Sequence, residues 1–247
     1  MKTIGVIPAR FASTRFPAKV LAMIDGKPLV QHVWEKVMLA RELDEVLIAC
    51  DHPDVFKAAQ DFKARAVMTD PHCISGSDRI AEAVKDLKAD IVVNVQGDEP
   101  FIDPGTIDAL SVLLKQDTQV MMGTVVKEIT DEADLQNPNV VKCVVDHQGH
   151  ALYFSRSPIP YHRNKASTAK NYKHLGLYAY RRDFLMTFTG WPKGILESAE
   201  ELEQLRALER GVKIKTTVTS MESLAVDTPQ DLQKAIQWFE KSKLMTK

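Results

Sequence analysis

The sequence predicts an α/β fold in which a mostly parallel sheet carries helices on both faces. Three observations predict it. Short apolar runs alternate with stretches of helical spacing through the first half of the chain, the order that builds parallel strands joined by crossover helices. The run at 91–95 (IVVNV) is continuous rather than alternating, as a strand buried on both faces requires. The 247 residues, 45% hydrophobic and 26% charged, match an ordinary soluble enzyme large enough for one substantial core.

Residues 3–7 (TIGVI) form an apolar run that Pro8 stops, a buried strand opening the fold. Over 28–41, Leu29, Val33, Val37 and Ala40 recur at helical spacing, and Pro28 stands near the first turn, where its missing N–H is harmless. Residues 45–49 (EVLIA) read as a second buried strand, 53–64 as a helix, 66–68 as a short strand, 77–88 as a helix and 91–95 as the strongest strand. The second half is less regular. Residues 104–115 have helical spacing, 120–126 read as a strand, and 140–157 as two strands around a turn at His147–His150. A further strand is predicted at 174–180 (HLGLYAY). One long amphipathic helix is predicted over 197–210, burying Leu202, Leu205 and Leu208, and a helix at 229–241 closes the chain. No repeat, low-complexity stretch or linker interrupts this order, so a single domain over 1–247 is expected, with the polar segment 163–171 as its mobile loop.

Charge narrows the partners. Lys and Arg number 32 against 33 Asp and Glu, a net −1, which gives no reason to expect nucleic acid or an anionic membrane. Anions must be recognised by local placement of cations. Cys50, Cys73 and Cys143 are odd in number and far apart with no CxxC, which argues against a disulfide framework and a zinc site and for a reducing compartment. The opening apolar stretch is too short for a signal peptide, and nothing approaches the roughly 20 apolar residues of a membrane helix. A cytosolic, cytoplasmic enzyme is expected.

Three segments carry chemistry. The first, Pro8 to Lys19, follows the opening strand, at the edge where an open α/β sheet binds its ligands. Arg10, Arg15 and Lys19, set among small residues and hydroxyls, can surround a polyphosphate, Arg with a planar fork and Lys with a compact charge. A merely solvated basic loop is as consistent with the spacing alone. The segment contains neither GxxxxGK[ST] nor GxGxxG, which counts against an NTPase or a dinucleotide enzyme. The second segment, Val95 to Pro100, places Asp98 after the strongest strand and so at the same edge. Facing a basic phosphate loop, Asp98 is a natural ligand for Mg²⁺, which takes one or two carboxylates and completes its shell with water and phosphate oxygens. The alternative is a cap for the helix at Pro104. The third segment, Ala225 to Leu232, is a strong helix start, with Thr228 at the N-cap, Pro229 at N1 and Asp231 at N3. Asp227 lies just outside that cap and is available as a second carboxylate.

P-A-R-x-x-S-T-R-x-P-x-K, S-G-S-D-R, V-N-V-Q-G-D-E-P, L-Y-F-S-R-x-x-I-P, H-L-G-L-Y-A-Y, L-E-Q-L-R-A-L and V-D-T-P-x-D-L occur in this order from residue 8 to residue 232. The ordered set resembles the 3-deoxy-manno-octulosonate cytidylyltransferase (CMP-Kdo synthetase) family. One departure is Ala18, where the family usually has Gly before the lysine. Another is Ser77-Asp78, where many members have Thr-Glu. The resemblance implies a Rossmann-like sheet of the nucleotide-diphospho-sugar transferase type and a subregion at about 140–190 for sugar binding and dimerisation. It implies that CTP is met by Ala9, Arg10, Arg15, Lys19, Ser75, Gly76, Arg79 and Asp98, that Mg²⁺ is held by Asp98 and Asp227, and that an acid sugar is surrounded by Gln96, Arg156, His174, Tyr178, Glu203 and Gln204. Arg10, Lys19, Asp98 and Asp227 would be the catalytic set, and the enzyme a homodimer feeding lipopolysaccharide synthesis. Read without the resemblance, Arg156 is as easily a solvated strand end, His174 a structural histidine, and Glu203 and Gln204 the wet face of a helix. Related acid sugars (8-amino-Kdo or an acylneuraminate), a nucleotide-sugar glycosyltransferase and a non-catalytic nucleotide sensor are the rival readings.

Overall fold

The computed structural model describes residues 1–12, 16–164, 166–222 and 224–245. The elements run β1 (Thr3–Ala9), a 3₁₀ turn (Lys19–Leu21), β2 (Met23–Ile24), β3 (Lys27–Pro28), α1 (Leu29–Val37), β4 (Glu45–Cys50), α2 (Pro53–Asp61), β5 (Arg65–Met68), α3 (Gly76–Val84), β6 (Ile91–Asn94) and α4 (Pro104–Gln116). Then come β7 (Met122–Glu128), α5 (Glu132–Gln136), β8 (Lys142–Val145), β9 (His150–Ser155), β10 (Tyr172–Arg181), α6 (Arg182–Thr189), α7 (Ile195–Glu200), α8 (Leu205–Leu208), β11 (Ile214–Thr219) and α9 (Pro229–Met245). They make a mixed α/β fold of two compact units, Met1–Asp108 with Glu222–Lys247, and Ala109–Met221. No helix among the described residues is long and apolar enough to cross a membrane.

In the first unit the strands lie in the order β5-β4-β1-β6, and every pairing is parallel. The continuous apolar runs explain this: Ile4, Val6 and Ile7 of β1, Leu47 and Ile48 of β4 and Val92 and Val93 of β6 are all fully buried. Pro8 does not stop β1, which pairs with β4 as far as Ala9↔Cys50. Val6 O accepts from Val95 N, so Val6, and with it Pro8 two residues on, faces β6. The β6 pairing ends at Val6↔Asn94, so the missing Pro8 N–H falls beyond the ladder. Helix α9 returns to this unit, where Val226 and Ala235 bury with Ile24 and Leu29.

The second unit departs from the mostly parallel arrangement expected. Its strands lie in the order β10-β7-β11-β9-β8, and an additional β8–β10 pairing brings the chain of neighbours back to β10. Only β11–β7 is parallel; β10–β7, β11–β9, β8–β9 and β10–β8 are antiparallel. Short turns, such as that between β8 and β9, produce antiparallel neighbours, whereas parallel neighbours need crossovers.

The predicted helix over 197–210 is a second correction. It breaks into α7 and α8 at Glu201, which is left-handed at φ 51, ψ 47. The physical reason is an ion pair. Arg206 grips Glu197 through two hydrogen bonds of 2.8 and 2.6 Å, both side chains being buried. Nine residues along a straight helix would sit about 13 Å apart on its axis. Bending the chain lets the two charges meet.

Candidate active site

Strand β1 delivers the basic turn at its C-terminal end. Ala9 is fully buried as the last strand residue. Arg10 Nη2 donates to Cys73 O at 3.1 Å, just ahead of α3. Phe11 N donates to Asp51 Oδ1 at 2.9 Å, and its ring stacks on His52 with centroids 3.8 Å apart. Ala18 N donates to Phe11 O at 3.0 Å, which closes the turn. Ala18 is left-handed (φ 52), the conformation that a glycine would adopt without strain. Arg15 lies outside the described residues.

Lys19 follows Ala18, and its Nζ lies 2.6 Å from Asp98 Oδ2 and 2.9 Å from Asp227 Oδ1. Local backbone geometry brings the carboxylates there. Gly97 passes so close to the end of β1 that a Cβ on it would stand 2.6 Å from Pro8 O. Val226 N donates to Asp98 O at 2.9 Å, laying the 225–228 segment beside that loop. Thr228 and Asp231 then form a reciprocal cap, with Thr228 N to Asp231 Oδ2 at 3.1 Å and Asp231 N to Thr228 Oγ1 at 3.2 Å. Asp227 is pinned between those two fixtures. Asp98 does not cap α4; Asp103 does, accepting from Thr106 N at 2.7 Å. Burial alone would push the Lys19 ammonium down, but Asp98 and Asp227 outweigh it and hold its pKa above the usual lysine value. Two carboxylates share one ammonium, which leaves a residual negative charge able to take a further cation. No cluster of three or more His, Cys, Asp or Glu that could hold a metal occurs among the described residues.

The remaining nucleotide-site candidates gather around α3. Ser75 is its N-cap: Ser75 Oγ accepts from Asp78 N at 3.1 Å and Asp78 Oδ2 from Ser75 N at 2.9 Å. Gly76 is the first helical residue. Arg79, one turn later, is fully buried, its guanidinium donating to Thr69 Oγ1 and paired with Asp51 Oδ2 at 3.0 Å. Gln96 is half-buried in the loop after β6, its carbonyl accepting from Glu99 N at 3.4 Å. Asp51 is absent from the residues singled out by sequence. Its signal is a carboxylate directly after a buried strand, but the apolar run EVLIA ends the predicted strand at 49, two residues short of it, whereas β4 runs to Cys50. All three cysteines are free, with thiols pushed up by burial to about 11 (Cys50, Cys73) and about 12 (Cys143). They are poor nucleophiles.

The second unit holds the other candidates. Arg156 is not a solvated strand end. Its Nε donates to Glu200 O at 2.7 Å and its Nη1 to Pro138 O at 3.1 Å, while its backbone N donates to Glu200 Oε2 at 2.9 Å. Ser155 Oγ donates to the other Glu200 oxygen at 2.6 Å. His174 is half-buried and neutral, its pKa pushed down to about 3 by desolvation. Thr124 Oγ1 lies 2.9 Å from His174 Nε2 and donates to Leu177 O at 2.9 Å, so Nε2 carries the ring proton and Nδ1 is left as an acceptor. Between Leu175 and Tyr178 the β10–β7 register shifts, a bulge that re-aims Tyr178. Burial raises the Tyr178 phenol well above its usual pKa and keeps it a neutral donor. Glu203 and Gln204 lie in the turn before α8 rather than on the wet face of a long helix. Gln204 is 3% exposed, and its Nε2 has no hydrogen-bond partner among the described residues. Thr124 and Glu200 carried no sequence motif.

Residues 4–214 match the family described as Cytidylyltransferase. The chain is 50% identical over 241 residues to the 3-deoxy-manno-octulosonate cytidylyltransferase of Solibacter usitatus (strain Ellin6076), covering 98% of this chain and 96% of that one. It is 49% identical over 247 residues to the protein of that name from Geobacter sulfurreducens (strain ATCC 51573 / DSM 12127 / PCA), covering 96% and 99%. A solved structure of CMP:2-keto-3-deoxy-manno-octonic acid synthetase complexed with CTP matches at TM-score 0.94 and 41% identity, covering 98% of this chain and 100% of that one.

Proposed function

The chain belongs to the cytidylyltransferase family, and from that premise we propose that it joins CTP to 3-deoxy-D-manno-octulosonate (Kdo), giving CMP-Kdo and pyrophosphate for lipopolysaccharide synthesis. The observation that carries the chemistry is the convergence of Lys19, Asp98 and Asp227 beside the basic turn. The choice of sugar rests on full-length relatives of that name.

In the reaction the sugar's anomeric hydroxyl attacks the α-phosphorus. A new P–O bond forms, the bond to the β-phosphate oxygen breaks, and the hydroxyl proton is lost to solvent. Arg10 and Lys19 offset phosphate charge, so that a second anion can approach the first. Arg15, Ser75, Gly76 and Ala9 complete the nucleotide surface, Ser75 and Gly76 through the start of α3, and Arg79 supports it from behind. Asp98 and Asp227 fit Mg²⁺: they offer hard oxygen donors, and they already converge on one cation. Magnesium, when bound, supplies charge neutralisation and orients the pyrophosphate. The sugar carboxylate suits the Arg156 guanidinium. Hydroxyls suit the neutral set of His174 Nδ1, the Tyr178 phenol and the Gln204 amide, with Glu203 and Gln96 as further acceptors and donors.

We also propose a cytoplasmic homodimer assembled through residues 140–190, on a Rossmann-like scaffold of the nucleotide-diphospho-sugar transferase type. The all-parallel β5-β4-β1-β6 set supports the scaffold, and exposed Leu152 and Tyr161 support the interface. The deciding assay adds Kdo, 8-amino-Kdo or an acylneuraminate singly to CTP and enzyme and measures pyrophosphate. Magnesium-dependent release with Kdo is expected. Release only with another sugar overturns the choice of Kdo, and consumption of CMP-Kdo without pyrophosphate release favours a glycosyltransferase.

A further inference from the structure

Building on that reading, we infer that Asp51 is a positioning residue for the nucleotide, fixing the basic turn after β1 through the Phe11 amide. The Asp51 side chain is 8% exposed, and its two oxygens do different jobs. Oδ2 forms an ion pair with Arg79 Nη2 at 3.0 Å, outside hydrogen-bond geometry, and Oδ1 accepts from Phe11 N at 2.9 Å. Arg79 is fully buried and is held from another side by Thr69 Oγ1, itself bonded to Cys50 O at 3.0 Å. A guanidinium without access to water needs a carboxylate opposite it. That attraction draws Oδ2 toward the guanidinium and leaves Oδ1 on the side of Phe11 N. The charge in S-G-S-D-R therefore serves the P-A-R turn indirectly: Arg79 orients Asp51, and Asp51 orients Phe11.

Phe11 is the place where an anchor has leverage. It follows Arg10, which is tied to Cys73 O at 3.1 Å. Its carbonyl accepts from Ala18 N at 3.0 Å, next to Lys19. Its ring lies against His52, the N-cap residue of α2. A shift of the Phe11 peptide would move both phosphate-facing cations, Arg10 directly and Lys19 through Ala18. Small displacements of positioning groups are costly to binding and catalysis.

Removing Asp51 alone strands a buried cation, so the test uses two double variants in which the charge is balanced. Asp51→Asn with Arg79→Met keeps an acceptor for the Phe11 N–H; Asp51→Leu with Arg79→Met removes it. Calorimetric CTP binding with magnesium, KM for CTP and for Kdo, thermal midpoint and Phe11 amide exchange are measured on each. Both pairs lose whatever Arg79 contributes, so the comparison is between them: the Leu pair should bind CTP about 10-fold more weakly than the Asn pair, a loss of about 1.4 kcal/mol. KM for Kdo and the thermal midpoint should be alike in the two pairs, and Phe11 should exchange faster in the Leu pair alone. Equal CTP affinity in the two pairs overturns the inference and leaves Asp51 as the counter-ion of Arg79. A wild-type protein that binds no CTP sinks instead the reading on which the inference rests.

Discussion

Asp98 and Asp227 hold one ammonium between them at hydrogen-bonding distance, and each is fixed by the backbone rather than by packing of its side chain. Replacing either with Asn keeps the shape and removes like-charge repulsion. Asp98→Asn and Asp227→Asn should therefore fold with a thermal midpoint close to wild type, since in each variant the other carboxylate still pairs with Lys19. Turnover should fall by about 10²-fold or more, the scale of losing one charge-stabilising group in a site of this kind. Steady-state pyrophosphate release checks both, and normal magnesium-dependent turnover removes that residue from the mechanism. Ala18 presents the opposite case. Its left-handed backbone costs an alanine roughly 1–2 kcal/mol, partly offset by the extra freedom that glycine has when unfolded. Ala18→Gly should raise unfolding free energy by about 0.5–1 kcal/mol in urea titration without loss of CTP affinity. His174 supplies a pH dependence. Its folded pKa of about 3 lies below the ordinary histidine value, so the unfolded chain takes up the proton first. Its contribution is fully present above about pH 6.5 and is lost progressively as pH falls toward the folded value. Unfolding measured from pH 7 to pH 4 should show that slope, and His174→Gln should flatten it.

At the scale of elements, the bend between α7 and α8 shows how one ion pair decides a local structure. Arg206 is buried against Glu197 and over the Phe188 ring, 5.0 Å from its centroid. Burial pushes the Glu197 carboxyl up, but Arg206 outweighs it and holds the pKa below the usual value, so this stabilisation is present at neutral pH and is lost as pH falls through the folded pKa. Glu197→Gln leaves the guanidinium with only Glu203 Oε1, 3.7 Å from Arg206 Nη2, and should cost about 3 kcal/mol by denaturant titration, together with CD changes in α7 and α8. The same bend marks what was legible in the sequence. Leu202, Leu205 and Leu208 have helical spacing, and nothing local in Glu201 announces a left-handed residue; the pair that bends the chain is a tertiary contact. Strand β11 (IKTTVT) was missed because its Thr-rich alternation carries little apolar signal, and α6 because it follows β10 without a turn residue. The continuous runs of β1, β4 and β6 were plain, since burial on both faces leaves no polar positions to confuse the period. Asp98, Lys19 and Asp227 were legible as residue types at strand ends and a helix start, but the roles of Asp51, Thr124 and Glu200 depend on partners distant in the chain.

At the scale of the molecule, the first unit is discontinuous. Its core cluster joins Ile24 and Leu29 to Val226 and Ala235, with Phe16, Phe101, Leu232, Ile236 and Phe239 packed around it. Phe239 also meets His32 edge-on, with centroids 4.6 Å apart, and His32 Nε2 lies 2.7 Å from Ile24 O. A chain ending at Met221 lacks half of that cluster along with Asp227. It should lose CTP-dependent turnover completely and show non-cooperative unfolding and dye binding to exposed apolar surface. Retained cooperative unfolding would show instead that residues 1–108 close their core without α9.

Because residues 222–245 are made only after the whole second unit, Asp227 can join Lys19 and Asp98 only once residues 109–221 have been synthesised. A translation product terminated before Asp227 would carry Lys19 and Asp98 without the second carboxylate, so the order of synthesis sets the order in which the three side chains can meet.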